Sequence, residues 1–384
     1  CNGARILTLS ADGDIDIRGG ASISGNVSGL QGATGGPLTL NLHAGGSIVH
    51  AGSITSIGSA SFLSKGAITF GDTSSSGYLN SAGFPITLVA NWNGSTAAPD
   101  IAASGKCAGG SFCGISGSGS IKSSTYQDGT SVNAANDVTL KAAGDIDLSS
   151  IGIHANGISG YISGSAGGAG GVVRITSARG NLTAGSIDAG GGRGANGFGD
   201  STTNGEAGGA GGAGGKISLS AAGTLTYIGP ISVSGGDGGF ASAAYFDQTI
   251  RSYRGTGGNG GAGGDAGTIS VDASSLVLNG LKAHGGNGGT AGSGTTPGIA
   301  GSGGKGGDLT LTATTGNLGF EIGSIDAGGG DGAQYVETGG SGGAGGMIRL
   351  SAGAGTLTLG GSTSVVGGSG GSGGAGGSGG TTSA

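Results

Sequence analysis

The sequence contains few charged and few aromatic residues. Of its 384 residues, 9% are charged and 4% are aromatic, with one tryptophan and one methionine. A typical soluble domain has about 25% charged residues. The scarcity of aromatics argues against an enzyme built around a large aromatic core. With only five prolines, the chain is not a collagen, which needs abundant proline and glycine at every third position.

Basic clusters and long apolar runs are also missing. The net charge is −6 and no basic patch is present, so we expect no nucleic-acid partner. No apolar run approaches the roughly 18–20 residues that span a bilayer, and no transmembrane segment is expected. No signal peptide is visible, so a targeting segment would lie outside this sequence. Phosphate-loop, nucleophile-elbow and zinc-protease motifs are absent, and no cofactor is expected.

The chain has three cysteines, Cys1, Cys107 and Cys113. Cys107 and Cys113 lie in one short segment whose flexible glycines would allow it to close into a small disulfide, with free thiols as the alternative. The four histidines are scattered, which argues against a zinc site. Cys1 has no predicted disulfide partner. The alternatives for it are a lipidated N-terminus, an intermolecular thiol or simply the first residue of a fragment.

Glycine is the abundant residue, at 103 of 384 positions. Because glycine costs about 1 kcal/mol per helical position relative to alanine, this composition argues against a helical protein. The low charge and positive mean hydropathy do not fit a charge-driven disordered chain either. A β-rich repeat protein remains.

The C-terminal half repeats a strand-like pattern, a glycine followed by two aliphatic residues separated by one polar residue. A small residue follows two positions after the second aliphatic one. Alternation with period two predicts a strand with one buried face. The first aliphatic residue of each copy is Val173, Ile217, Ile269, Leu309 or Ile348.

A second block follows each of these strands and aligns without a gap. It alternates apolar, polar and small residues before running into glycine, as in 187–194 and 231–238. Between the two blocks lies a short aliphatic segment such as 224–227. Each repeat therefore predicts about three short strands and then a glycine-rich excursion.

The N-terminal half repeats the first strand less regularly. Copies are at 7–11, 38–40, 68–70, 86–90 and 138–142. We divide the chain into an irregular part, residues 1–160, with a cysteine-containing loop at 91–136, and a regular part, residues 161–384, with glycine-rich arms. The two parts are expected to form one continuous solenoid.

Short strands with matching columns predict an all-β fold, a parallel β-solenoid of roughly ten coils, on the order of 50 Å tall. Equivalent residues of successive coils would stack about 4.8 Å apart. Val173, Ile217, Ile269, Leu309 and Ile348 would then form one internal ladder. A β-sandwich is the alternative, but its strands would not repeat by column.

The glycine-rich excursions repeat a small residue followed by two glycines, as in 207–215 and 257–264. Polyproline II helices have three residues per turn and no internal hydrogen bonds. Period-three glycine therefore favours arms of this conformation, stacked in a layer beside the solenoid. Flexible low-complexity loops are the alternative.

Several acidic residues are candidates for catalytic or metal-binding sites. Asp14 and Asp16, and again Asp145 and Asp147, resemble paired carboxylates of β-helical polysaccharide enzymes, but outward-facing solvated residues explain them better. Residues 303–308 begin like a calcium-binding nonapeptide, yet no tandem copy follows. Asp237, Asn287 and Asp331 occupy one column, which we interpret as a solvated ladder and not a metal site.

Two segments, residues 7–17 and 138–148, resemble the repeats of filamentous-haemagglutinin-like exoproteins. Residues 86–94 look like a segment that is common in large members of that family. The resemblance covers roughly residues 1–190. It implies a right-handed β-helix, secretion across a bacterial outer membrane, and a role in adhesion or the cell-surface matrix. The glycine arms of residues 160–384 depart from the simplest repeat of that family and look more like those of glycine-rich bacterial surface proteins.

The predicted function is therefore that of a secreted, non-enzymatic structural protein that forms or decorates a surface fibre, adhesin-like. Expected partners are other copies of the chain, a longer rod, glycans or a neighbouring cell surface. Because the sequence starts in a strand and ends in a bare glycine arm, open edges would favour end-to-end stacking. The alternatives are a β-helical polysaccharide-active enzyme and a glycan- or ice-binding module.

Overall fold

The computed structural model describes residues 5–24, 38–55, 58–81, 83–103, 113–123, 135–198, 204–320, 324–334, 339–371 and 375–383. Within these residues the chain is all-β, with 30 strands and no helix. The strands are β1 (Arg5–Ala11), β2 (Ile15–Ile17), β3 (Ser22–Ser24), β4 (Leu38–Ala44), β5 (Ile48–His50), β6 (Ser53–Thr55), β7 (Ala60–Ser64), β8 (Ile68–Phe70), β9 (Gly77–Asn80), β10 (Ile86–Ala90), β11 (Ile115–Lys122), β12 (Val138–Ala142), β13 (Ile146–Leu148), β14 (Ser150–His154), β15 (Val172–Ser177), β16 (Leu182–Ala184), β17 (Ile187–Asp188), β18 (Lys216–Tyr227), β19 (Ile231–Ser232), β20 (Phe246–Asp247), β21 (Ser252–Tyr253), β22 (Thr268–Leu278), β23 (Leu281–Lys282), β24 (Asp308–Ala313), β25 (Leu318–Phe320), β26 (Ser324–Asp326), β27 (Met347–Ala352), β28 (Leu357–Leu359), β29 (Ser362–Ser364) and β30 (Thr381–Ser383).

The strands stack in three parallel columns, as expected for a parallel β-solenoid with three strands per coil. The first column is β1, β4, β7, β10, β12, β15, β18, β22, β24, β27 and β30. The second is β2, β5, β8, β11, β13, β16, β18, β22, β25 and β28. The third is β3, β6, β9, β11, β14, β17, β19, β23, β26 and β29. The long strands β18 and β22 serve both the first and the second column.

Alternating side chains in the first column build the core. Val173 pairs with Ile217, Ile217 with Ile269, Ile269 with Leu309 and Leu309 with Ile348. All five of these residues are buried. The same column continues through Val138, Ile86, Ala60, Leu40 and Leu7, so one inner ladder runs through ten of the eleven strands of the first column.

The structure corrects one strand assignment in the N-terminal half. Residues 68–70 were expected to copy the first strand, but they form β8 in the second column, where Ile68 pairs with Ile48 and Ile115. The first strand of that coil is β7, whose Phe62 pairs with Leu42. The error arose because a short apolar-polar-apolar run has the same local pattern in every column, and only the register between coils distinguishes them.

The segment 91–136, expected to be one loop, is interrupted by β11. This strand supplies both the second and the third position of its coil, pairing with β8 and β9 on one side and with β13 and β14 on the other. Gly117 and Gly119 lie in it with positive φ values of 124° and 145°. Because these two glycines have no side chain, the neighbouring backbones at Phe70 and Gly77 can approach closely.

The solenoid runs without a break across residue 160. Strands β12, β13 and β14 pair in register with β15, β16 and β17. One apolar cluster extends from Ile17 to Leu350 and joins both parts. The described residues on the two sides of residue 160 therefore share a single core.

Candidate functional site

The glycine-rich excursions of the C-terminal half form a surface that is built mainly from backbone atoms. After the third strand of a coil the chain leaves as an outgoing arm and comes back before the next first strand as a returning arm. We call the set of these arms the glycine slab. Its outgoing arms are 155–160, 189–197, 233–243, 283–292, 327–333 and 365–371, and its returning arms are 166–171, 205–215, 256–267, 298–307, 339–346 and 375–380.

Backbone hydrogen bonds connect equivalent arms of successive coils. Among outgoing arms, Gly191 N donates to Ser234 O (2.8 Å) and Gly235 N donates to His284 O (2.9 Å). Among returning arms, Gly211 N donates to Ala262 O and Gly263 N donates to Ser302 O, both at 2.8 Å. These bonds extend the hydrogen-bonding direction of the solenoid into the slab.

A second set of hydrogen bonds joins the outgoing layer to the returning layer. Gly212 N donates to Gly192 O (2.8 Å), Gly236 N to Gly212 O (2.9 Å) and Gly264 N to Gly236 O (2.8 Å). Each arm thus contacts arms above, below and across. The excursions are ordered elements whose backbone groups are paired, as the folded state of a polar backbone requires.

The close approach of the arms explains why two of every three residues are glycine. A Cβ atom on Gly236 would lie 2.0 Å from Gly192 O, and one on Gly238 would lie 2.0 Å from Gly261 O. Neither position has room for any side chain. The third residue of each triplet, such as Asp237, points outward and is exposed.

The predicted column of Asp237, Asn287 and Asp331 satisfies backbone groups. Asp237 Oδ1 accepts the N–H of Asn287 (2.7 Å), and Asn287 Oδ1 accepts the N–H of Asp331 (2.8 Å). Asp331 Oδ1 in turn accepts the N–H of Ser369 (2.6 Å). Each of these side chains therefore accepts a hydrogen bond from the backbone N–H of the equivalent residue in the next coil.

The four acidic residues singled out in the N-terminal half each have a partner in their own or the following coil. Asp14 Oδ1 accepts the N–H of Ser47 (2.6 Å), and Asp145 Oδ1 accepts the N–H of Asn181 (2.7 Å), each in the following coil. Asp16 forms an ion pair with Arg18 (2.9 Å). Asp147 accepts the N–H of Ser149 (3.0 Å). These carboxylates stabilise turns and contacts between coils.

Across the described part of the chain, no three His, Cys, Asp or Glu side chains converge in a way that could hold a metal ion. Asp308, from the calcium-like segment 303–308, is the exposed first residue of β24. Cys113 is buried and disulfide-bonded. Its predicted partner Cys107, and also Cys1, lie outside the described residues.

One cleft combines side chains that the sequence analysis did not connect. It lies on the outside of the first four coils, has a volume of about 340 Å³, and is lined by Asp12, His43, Lys65 and Trp92. The ring centroids of His43 and Trp92 are 5.5 Å apart. Asp12, His43 and Lys65 lie just beyond or near the ends of β1, β4 and β7, which are adjacent in the first column. Only the column register shows that residues so far apart in sequence share a surface.

Apolar side chains are exposed at the outer ends of the arms. Tyr161, Phe198, Phe240, Ile250 and Ile299 are between 46% and 73% exposed. The Arg193 guanidinium lies 4.7 Å from the centroid of the Phe240 ring. Between the outgoing arm 233–243 and the returning arm 256–267, a small antiparallel hairpin, β20–β21, is held by an ion pair between Arg254 and Asp247 (2.6 Å).

The fold and these surfaces define the chain as a parallel β-solenoid with a hydrogen-bonded glycine slab. No protein family, no curated protein and no solved structure matches it. No helix that could cross a membrane occurs in the residues that the structure describes.

Proposed function

We propose that this chain is a non-enzymatic structural element of an extracellular fibre or matrix, with an adhesin-like role at a bacterial cell surface. The observation that carries the proposal is the continuity of the hydrogen bonding. Three strand columns and two arm columns all bond along the same axis, coil after coil. Such an arrangement suits a stiff rod whose outer surface can be varied without changing its core.

The glycine slab supports a structural role more than a catalytic one. Its repeated residues are used in backbone packing, and its outward carboxylates and amides accept backbone N–H groups of the next coil. We infer that the arms have the polyproline II conformation, which the three-residue repeat favours. Two layers of such arms would widen one side of the rod into a flat plate.

Self-association is part of the proposal. Exposed strand edges template pairing with other chains, and the exposed apolar side chains at the arm ends offer a second contact surface. The chain's proposed partners are therefore further copies of itself or a longer rod, together with surface glycans.

Negative-stain electron microscopy of the purified chain at neutral pH, with and without reductant, tests the assembly. We expect rods that lengthen with protein concentration. Uniform single particles that stay monomeric at high concentration would contradict self-association. Immunogold labelling of intact bacteria, compared with permeabilised ones, tests the location, and label seen only after permeabilisation would contradict a surface role.

A further inference from the structure

The cleft lined by Asp12, His43, Lys65 and Trp92 holds the chain's single tryptophan. Hydrogen bonds hold both the backbone and the indole ring of Trp92 in place. Trp92 N donates to Ser64 O (2.8 Å), and Trp92 Nε1 donates to Ser95 O (3.0 Å). The ring is only half-buried, so a rigid apolar face remains open to the cleft.

The residue before the tryptophan, Asn91, adopts a left-handed backbone conformation, which is uncommon for residues other than glycine. Asn91 is buried and has a φ of 58°. It turns the chain out of β10, and the excursion closes through a bridge between Trp92 and Ile101. Lys141 on the neighbouring coil pairs with Asp100 (3.1 Å) and fastens the far side. Asparagine is one of the few residues besides glycine that adopt this left-handed conformation readily, and here it sets the turn that leads into Trp92.

The polar groups of the cleft balance each other in charge. Asp12 and Lys65 are exposed and of opposite sign. Partial burial lowers the pKa of His43 below its ordinary value of 6.5, so its imidazole is uncharged at neutral pH and both donates and accepts hydrogen bonds. The lining therefore offers a carboxylate, an ammonium and an imidazole around an aromatic face, without a net charge that would attract phosphate or a polyanion.

We propose that this cleft binds an uncharged saccharide, through one or two pyranose rings of a glycan chain. A sugar ring has an apolar C–H face and a rim of hydroxyl groups. An indole face beside mixed hydrogen-bond donors and acceptors matches both, in the way that small-ligand sites combine apolar walls with a few polar groups. The volume of about 340 Å³ is at the small end of the range of about 300–1,000 Å³ for ligand pockets.

The lone tryptophan provides a direct readout of this site. We would titrate the full chain with uncharged hexasaccharides of glucose, galactose, mannose and N-acetylglucosamine and follow tryptophan emission. We expect a saturable change in the emission of Trp92 with one of these probes, at a dissociation constant of about 1 mM or tighter. Asp12→Asn and His43→Ala, which keep the fluorophore, should weaken that binding about tenfold or more.

A second method covers the variant that removes the fluorophore. In affinity electrophoresis through gels containing the matching polysaccharide, Trp92→Ala should lose its retardation, whereas Tyr161→Ala should keep it. Tyr161 is the matched control because it is an exposed aromatic residue, 73% accessible, far along the rod. The absence of any saturable response across the four probes, or unchanged retardation of Trp92→Ala with unchanged affinity of Asp12→Asn and His43→Ala, would overturn the proposal. Binding confined to acidic saccharides would overturn it as well.

This inference stands apart from the structural role. Loss of glycan binding in the Trp92→Ala chain leaves the strand columns and the slab intact, so rods should still form in the electron microscope. Absence of rods from the unmodified chain would contradict self-association but would leave the fluorescence titration unaffected.

Discussion

His50 is a histidine enclosed in the apolar core. Its ring lies edge-on to Phe62 and Phe70, with centroid distances of 6.0 and 5.4 Å. Nε2 bonds Tyr78 O (3.1 Å), whereas Nδ1 is buried with no hydrogen-bond partner. Burial lowers the pKa of this imidazole below 6.5 because the charged form loses its hydration. The side chain therefore couples protonation to the stability of the second and third coils.

Acid should destabilise the protein through His50. Because the folded pKa lies below that of the unfolded chain, the unfolded chain takes up the proton first as the pH falls. The contribution of His50 is full above about pH 6.5 and declines below it, by up to about 1.4 kcal/mol per pH unit. Denaturant unfolding between pH 7.5 and pH 5 should show a shallower loss for His50→Leu than for the unmodified chain. His43 titrates in both proteins, and identical slopes would contradict the assignment.

The ladder assignment predicts opposite outcomes for adjacent residues. Leu309 is fully buried in β24, whereas the neighbouring Thr310 faces outward between Ser270 and Arg349. Leu309→Asp should cost about 3–5 kcal/mol, since an unpaired charge would enter the core. Thr310→Asp should change the free energy of unfolding by about 0.5 kcal/mol or less. Urea denaturation measures both, and similar losses would mean that the inward and outward faces are exchanged.

At the scale of elements, the glycine slab and the solenoid are stabilised in different ways. The strands bury aliphatic side chains, whereas the arms bury almost only backbone and depend on hydrogen bonds at 2.6–3.1 Å with close contacts between arms. One added methyl group therefore matters more in an arm than on the outer face of a strand.

Gly236→Ala should open the slab locally while the core stays folded. Its Cβ would collide with Gly192 O, so the outgoing arm of that coil must separate from its neighbours. Hydrogen-exchange mass spectrometry should show about tenfold or greater loss of amide protection in peptides covering 205–215 and 233–243, with little change in β18 and β22. The matched control is Thr290→Ala, at an exposed third position of the next outgoing arm, and it should keep the protection. Equal protection in both variants would show that the arms are not packed closely.

At the scale of the whole molecule, the two halves share one core in spite of their different excursions. The pairing of Val138 with Val173 and of Ile153 with Ile187 is in the same register as the pairs farther along the rod. In a solenoid, each coil is stabilised mainly by its neighbours, so cooperativity depends on unbroken interfaces.

We therefore expect one unfolding transition across the boundary near residue 160. Peptides covering 138–148 and 172–184 should lose hydrogen-exchange protection at the same urea concentration. Two separate transitions would instead indicate two domains joined at that point. Pulse labelling during a urea titration distinguishes these outcomes, and the slab peptides serve as an internal reference for local opening.

Much of the solenoid could be predicted because its repeats are local patterns. The alternation around Val173, Ile217 and Leu309 shows a strand and its buried face, and the glycine triplets show where the arms begin. The position of Ile68 in the second column could not be derived in this way, because three residues carry no information about which coil contacts they make. The strand β11 was hidden for a related reason, since its glycines suggest a loop until neighbouring backbones are placed beside them.

An all-β parallel solenoid, an inner aliphatic ladder and glycine arms in the C-terminal half follow from the amino-acid sequence alone. These follow from periodicity, which is a property of the chain alone. Which distant residues meet depends on the tertiary structure. The stacking of the coils places Asp14 and Asp237 so that their side-chain oxygens accept backbone N–H groups of the next coil. The same stacking brings Asp12, His43 and Lys65 to the cleft that contains Trp92. Contacts between coils depend on the lengths and paths of the intervening excursions, and no local pattern encodes those.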